Sequence, residues 1–515
     1  MKVNSICILG GGTSGFSMAS LLAKYREVSK LDFDINVVYS EKIGKIGVGE
    51  STLLSINDLF RYLDVNDCEW MSECNATYKT SIRFEDFYKK DRYFHYPFGN
   101  IFHNTFEDIR SWFILKDKNP EVFTPEISSS YFIPHTLLNE KNKLTKEEFL
   151  PGYNFDNISA YHFDTHLLSK FLKSYAEKKG VKFIDDTFLD ASLDKNGYVK
   201  SINCENNRIS ADLFIDCSGF NSLLLGKTLN EEYISFEDTL LNHRVIRAKI
   251  PYYDKEEQLK NYTNCIALNN GWLWEIPLWD SLSIGYVHSL KFSTENEIEN
   301  EFKEHCKKYK IDFSNIDYEI INYKTGRYKR GWVKNVVAVG LSYGFLEPLE
   351  STGIATMLSN SFRLLECLSK RDMFYTNIDR DIFNTSVGKY EIDNLRSFIE
   401  MHYFLSSRDD SEYWQYVTNE IDYGNDNSNY DVFINKTVEE RSYHVPNVTE
   451  GIPFIASGMN YSHFSKAFIL SDDNPNMDIQ IISEQFQNKI KNIEKMIDNF
   501  PSTYEFLKNN IYNKY

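Results

Sequence analysis

Ser5-Ile6-Cys7-Ile8-Leu9 is an apolar run near the head of the chain, and Phe16, Met18, Ala19, Leu21 and Leu22 recur after it at helical spacing. Gly10-Gly11-Gly12-Thr13-Ser14-Gly15 stands between the two. Strand, glycine turn and helix in that order are the context in which G-x-G-x-x-G points to a dinucleotide. Gly10 permits the tight turn, Gly12 lets a pyrophosphate approach the backbone, and Gly15 lets the helix pack close to the strand. The helix start then offers unpaired N–H groups to the phosphates. The competing reading is an ordinary glycine-rich turn.

Ile35-Asn36-Val37-Val38-Tyr39 reads as the second strand of the unit. An acidic residue normally ends this strand and binds the ribose. Tyr39 stands there instead, leaving Ser40 or Glu41 for that task and weakening a case for NAD. Ile46-Gly47-Val48-Gly49-Glu50-Ser51 follows, either a plain turn or backbone pressed against a flat ligand, and Thr52 to Leu63 reads as a helix. Lys79 lies between an aromatic and a β-prone run, where a lysine is ordinarily a solvated charge. Tyr93 to Gly99 is an aromatic cluster around His95, and residues 105 to 160 are irregular in pattern.

Tyr161-His162-Phe163-Asp164 opens a predicted helix running through Leu172 and Tyr175. Residues 181–184 and 198–202 read as strands. Ala211 to Cys217 is a buried strand running into a small-residue turn. It reads as a strand returning to the nucleotide domain, so that domain is discontinuous. A second sheet is predicted from residues 243–250, 265–268, 272–277 and 282–287. Trp272, Trp274 and Ile276 share one face of its third strand, either as core or as a rigid wall. Residues 336–340 form another buried strand, and Pro348-Leu349-Glu350-Ser351-Thr352-Gly353-Ile354 then leads into a helix through Met357 and Leu365. Its start suits either an anion or a simple cap. The last 140 residues or so read as mainly helical, with a polar loop at 422–431 and a stripe of Phe486, Ile490, Ile493, Ile497 and Phe500 expected to pack on the body.

The 515 residues suffice for two or three modules. A net charge of −17 argues against a nucleic-acid surface. No apolar stretch is long enough for a bilayer, which predicts no membrane partner, and the first strand leaves no room for a cleaved leader. Eight cysteines without a C-x-x-C pair suggest buried thiols in a reducing cytoplasm and no metal site.

Several of these segments together resemble the flavin-dependent halogenases of the tryptophan halogenase family. The resemblance rests on Gly10 to Gly15, Gly47-Val48-Gly49-Glu50, Lys79 in Asn-x-x-Tyr-Lys-x-x-Ile-Arg-Phe, Trp272-x-Trp274-x-Ile276-Pro277, and Pro348 to Ile354. It covers roughly residues 1 to 415. It implies an α/β fold, α+β overall: a Rossmann-like FAD-binding domain of the flavin monooxygenase type, a second mixed sheet and a mainly helical C-terminal module. The expected division is a discontinuous FAD module over 1–370, with the substrate-side sheet inserted at about 230–320, and a helical module over 371–515.

The resemblance implies that a separate flavin reductase supplies FADH2, that a halide becomes hypohalous acid, and that this crosses a tunnel to a lysine. Lys79 matches that lysine and Glu350 the glutamate beside it. Thr352 and Gly353 match halide-holding residues. Gly11, Thr13, Ser14, Ser40, Ile43, Ile46, Val48, Ser51, Leu341 and Ile354 match flavin-contacting positions, with Gly10, Gly12, Gly15 and Gly49 in the same segments. Trp272, Trp274, Ile276 and Pro277 would wall the substrate off from the flavin. His95 and Phe98 resemble a segment that sandwiches the substrate ring, with one extra residue between them here. Members specific for tryptophan carry a late tyrosine pair, and none occurs around Gly451 to Gly458. The expected substrate is therefore an indole, a phenol or another electron-rich arene rather than free tryptophan, with chloride, bromide or iodide. The alternative is a flavin monooxygenase that hydroxylates or epoxidises an apolar substrate. The oligomeric state stays open, a homo-oligomer included.

Overall fold

The computed structural model describes residues 1–43, 49–99, 105–310, 316–423, 451–461 and 479–513, with the backbone alone for 105–111. Ile46, Gly47, Val48 and all but the first two residues of the 422–431 loop lie outside these residues. The chain clusters into two compact units. The first holds Met1–Thr77, Ala160–Glu237 and Tyr323–Leu395; the second holds Tyr78–Ser159, Asp238–Asn322 and Arg396–Tyr515.

The first unit is built on a six-stranded sheet in the order Trp332–Val333, Val336–Ala338, Leu213–Asp216, Ser5–Leu9, Asp34–Tyr39, Lys182–Asp185. The first strand pairs in parallel with Leu213–Asp216 on one side and Asp34–Tyr39 on the other. Ile6 to Leu9 are all buried, which is why this strand reads as an unbroken apolar run rather than an alternation. The strand at 213–216 is the returning strand anticipated from Ala211 to Cys217. Helices Thr13–Ser29 and Thr165–Lys178 belong to this Rossmann-like unit.

Two predicted elements differ. Residues Ala160–Asp164 form a strand, not the start of a helix. Tyr161, His162 and Phe163 are β-prone, and Asp164 caps the helix that follows by accepting from the N–H groups of His166 and Leu167. The helix predicted from Thr52 begins at Ile56. Thr52 is held instead beside Tyr161, whose carbonyl accepts from both its N–H and its hydroxyl.

The second unit contains a seven-stranded sheet in the order Tyr318–Asn322, Arg244–Ile250, Leu282–His288, Gly271–Pro277, Tyr262–Leu268, Ser81–Glu85, Tyr93–Pro97. The pairings are antiparallel except that of Tyr262–Leu268 with Ser81–Glu85. One face carries Leu273, Ile284 and Tyr286 and packs on Ile298, Phe302 and Cys306 of helix Glu295–Cys306. The late stripe packs as expected: Phe486 stacks on Phe123, Phe500 meets Phe149, and Ile493 and Ile497 are buried. No helix among the described residues is long and apolar enough to cross a membrane.

Candidate active site

Each glycine of the first turn meets a different physical demand. Gly10 has φ +129°, and a Cβ there would overlap the Cys217 carbonyl. A Cβ on Gly15 would overlap the Gly10 carbonyl, so the helix packs directly on the turn. Gly12, by contrast, has nothing within 4 Å of its Cβ position. It is also the N-cap of helix Thr13–Ser29, and no side chain caps that helix. Open backbone and uncapped amides together suit a diphosphate, so the residues present fit FAD. Around the turn, Thr13 Oγ1 lies 3.2 Å from Ser169 Oγ, and Ser40 Oγ lies 3.1 Å from Thr187 Oγ1. Gly340, at φ +69°, is pressed against Ser14 and begins the turn that holds Leu341. Ile43 is exposed and Ile354 is buried. Gly49 and Ser51 lie in strand Gly49–Ser51.

A second uncapped helix start lies in the same unit. Pro348–Glu350 forms a 3₁₀ turn, Ser351 takes a left-handed conformation at φ 57°, and helix Thr352–Ser369 begins with no side-chain cap. Gly353 has nothing within 4 Å of its Cβ position. Bare amides at a positive helix end, with room in front of them, suit a small anion. Glu350 is 2% exposed, immediately before the cap.

In the second unit, Lys79 ends strand Thr77–Lys79 and is 0% exposed. Its Nζ lies 5.0 Å from the centre of the Phe98 ring. Lysines are almost never fully buried without a reason, so the surface-charge reading fails. Phe98 meets Tyr96 edge-on, and Tyr96 stacks on Phe454 at 5.5 Å.

Trp272 and Trp274 lie on one face of strand Gly271–Pro277 with ring centres 6.2 Å apart, and Ile276 and Pro277 are buried beside them in the strand. Neither indole N–H has a hydrogen-bond partner among the described residues. Gly285 lies directly opposite Trp274, and a Cβ there would overlap the six-membered ring of the indole. The indole therefore lies against a glycine. Sequence reasoning missed Gly285, although a glycine inside an apolar strand signals such close approach.

His95 does not join this group. It is opposite Arg83, Arg83 is opposite Asn264, and Asn264 is opposite Glu275. Glu275 alternates with Trp274 and Ile276, so His95 occupies the other face of the sheet from the tryptophans. There its Nδ1 lies 2.9 Å from Ser81 Oγ and its Nε2 3.7 Å from Glu140. Burial, helped by the Arg83 charge, holds its pKa well below the usual range, so the imidazole is neutral. His95 and Phe98, expected together at the substrate ring, therefore differ in direction: Tyr96, with the parity of Phe98, takes the side opposite to His95.

The description "tryptophan halogenase" fits residues 5–447 as a family model. The chain belongs to the tryptophan halogenase family. Tryptophan 7-halogenase KtzQ of Kutzneria sp. (strain 744) is 32% identical over 431 residues, covering 80% of this chain and 78% of that one. The structure called VirX1 apo matches with a TM-score of 0.91 at 34% identity, over 99% of this chain and 100% of the other. The tryptophan 6-halogenase SttH of Streptomyces toxytricini matches with a TM-score of 0.85 at 28% identity, over 98% and 99%. The protein is accordingly a flavin-dependent halogenase with an aromatic substrate, and the hydroxylase alternative is not favoured. The family implies reduced FAD and a halide as its cofactors.

Proposed function

We propose that this halogenase makes hypohalous acid in its flavin unit and uses it at Lys79 to halogenate an electron-rich arene, an indole or phenol rather than free tryptophan. Reduced FAD, supplied by a separate reductase, would provide with dioxygen the two-electron oxidation of chloride, bromide or iodide. Gly10 to Gly15, with Ser40, Leu341 and Ile354, would hold the cofactor. The amides of Thr352 and Gly353 would hold the halide. The Lys79 amine would hydrogen-bond the hypohalous acid or carry its halogen, and Glu350 would polarise it or take the ring proton. Halogen then replaces hydrogen on the ring and the hypohalous oxygen leaves as water. Trp272 and Trp274 would keep the arene away from the oxidising centre. The free thiols suit a cytoplasmic setting.

The observation that carries this reading is the fully buried Lys79 beside the Phe98 ring. The preference against free tryptophan rests on the segment Gly451 to Gly458, where no tyrosine pair occurs. The test is mass spectrometry of products from a panel of arenes with FAD, a reductase, oxygen and each halide. Halogenated indoles or phenols are expected. Lys79→Ala should bind FAD and give no halogenated arene; undiminished turnover in it, or oxygenated products with halide present, would reject the assignment.

A further inference from the structure

Ser351 is at the N-cap of helix Thr352–Ser369, yet its hydroxyl does not cap the helix. A serine there ordinarily accepts a hydrogen bond from the second or third helical N–H. Here its Oγ lies 2.9 Å from Ser51 Oγ, in a buried hydrogen bond between two hydroxyls. The φ of 57° at Ser351 is a conformation that non-glycine residues disfavour. Ser51 is itself fixed in strand Gly49–Ser51, directly opposite His162, whose Nδ1 lies 3.0 Å from Thr77 Oγ1. Both ends of this frame are buried.

We propose that Ser51 is a positioning residue: its hydroxyl anchors Ser351 in the left-handed conformation, away from the extended one in which a serine caps, and so keeps the amides of Thr352 and Gly353 open for a halide. The inference rests on the assignment of halide to Thr352 and Gly353. The physical reason is competition. Two acceptors exist for the Gly353 N–H, the second of the helix: an intramolecular serine oxygen and a dissolved anion. The serine oxygen is always present at high effective concentration, so an anion site at a serine-capped helix needs a second partner to occupy that serine. Ser51 is that partner. In this role it acts on the halide site through Ser351.

The experiment compares wild type with Ser51→Ala, Ser51→Thr and the double variant Ser51→Ala/Ser351→Ala. Crystals of each are soaked in bromide, and bromide is located by anomalous scattering. Ser51→Ala should lose most of the bromide at the start of helix Thr352–Ser369, show the Ser351 hydroxyl turned onto that helix, and have a halide KM raised about tenfold at unchanged arene KM. Ser51→Thr keeps a hydroxyl and should behave as wild type. The double variant has no hydroxyl left to compete and should regain bromide, a rescue that loss of packing alone would not give. Full bromide occupancy and unchanged halide KM in Ser51→Ala would overturn the proposal. Absence of bromide from the wild-type helix start would overturn the halide assignment instead, and the Ser351 hydroxyl in Ser51→Ala then decides the role of Ser51: turned onto the helix it stands, unmoved it falls.

Discussion

Lys79 and His95 were both chemically interesting letters in an aromatic stretch, and their environments separate them. An amine with no exposed surface beside an aromatic ring is not a solvated charge, which suits the chemistry proposed for it. A neutral imidazole hydrogen-bonded to a serine, on the face away from the tryptophans, is a packed polar residue. His95→Asn is therefore expected to change arene KM by less than about threefold while lowering stability by about 1 kcal/mol. Phe98→Ala should raise arene KM at least about tenfold. Steady-state kinetics on one arene checks both, and the reverse order would return His95 to the pocket. Gly285 makes a second residue-level claim. Gly285→Ala drives a methyl into the Trp274 indole and should cost about 1–3 kcal/mol. Adding Trp274→Phe should recover part of that loss, as thermal unfolding of the two variants would show. The shared face of Trp272 and Trp274 was legible because a period of two is visible in seven letters. The direction of His95 was not, because it depends on register with a partner strand remote in sequence.

At the scale of elements, helix Thr352–Ser369 is tied along its flank as well as at its start. Ser359 donates to Glu391 at 2.7 Å, and Glu391 lies in the π-helical segment Thr385–Ile392. Burial lifts the Glu391 carboxyl to about 7, against the pull of Ser359 and Arg363. An unfolded glutamate titrates near ~4.3. Between these two pH values the folded chain keeps a proton that the unfolded chain has released, so stability falls as pH rises through the window and levels off above it. Glu391→Gln is expected to remove this slope. The variant should be more stable than the parent above neutral pH by on the order of 2 kcal/mol, and no more stable below about pH 4. Chemical denaturation across pH measures the difference, and parallel curves would show that Glu391 is ionised in the folded protein. None of this was readable from the sequence, where Glu391 is one acidic letter among 74. The strand at 160–164 was misread as helix because Asp164, which caps the helix, was taken inside it, and the predicted start at Tyr161 fell four residues before Thr165.

For the whole molecule, the parts fixed by backbone demands were visible from the start. A glycine at φ +129°, an uncapped helix and a strand buried on both faces leave marks in composition. What stayed hidden was long-range pairing: residues 78–159 cluster with the inserted sheet because Ser81–Glu85 runs parallel to Tyr262–Leu268. Net charge is another property of the entire chain, and it has a kinetic consequence for an enzyme that consumes an anion. At −17 the protein repels halide over distances set by the Debye length, about 10 Å at 0.1 M salt and roughly 30 Å at 0.01 M. The attraction expected at the proposed halide site, the start of helix Thr352–Ser369, is local and is screened less. Added inert salt should therefore weaken the repulsion more than the capture. The expected result is that kcat/KM for bromide rises about twofold to fivefold between roughly 10 and 150 mM potassium acetate, with kcat unchanged. A value that falls with salt would mean that local positive charge, and not the net charge of the chain, governs how halide reaches the enzyme.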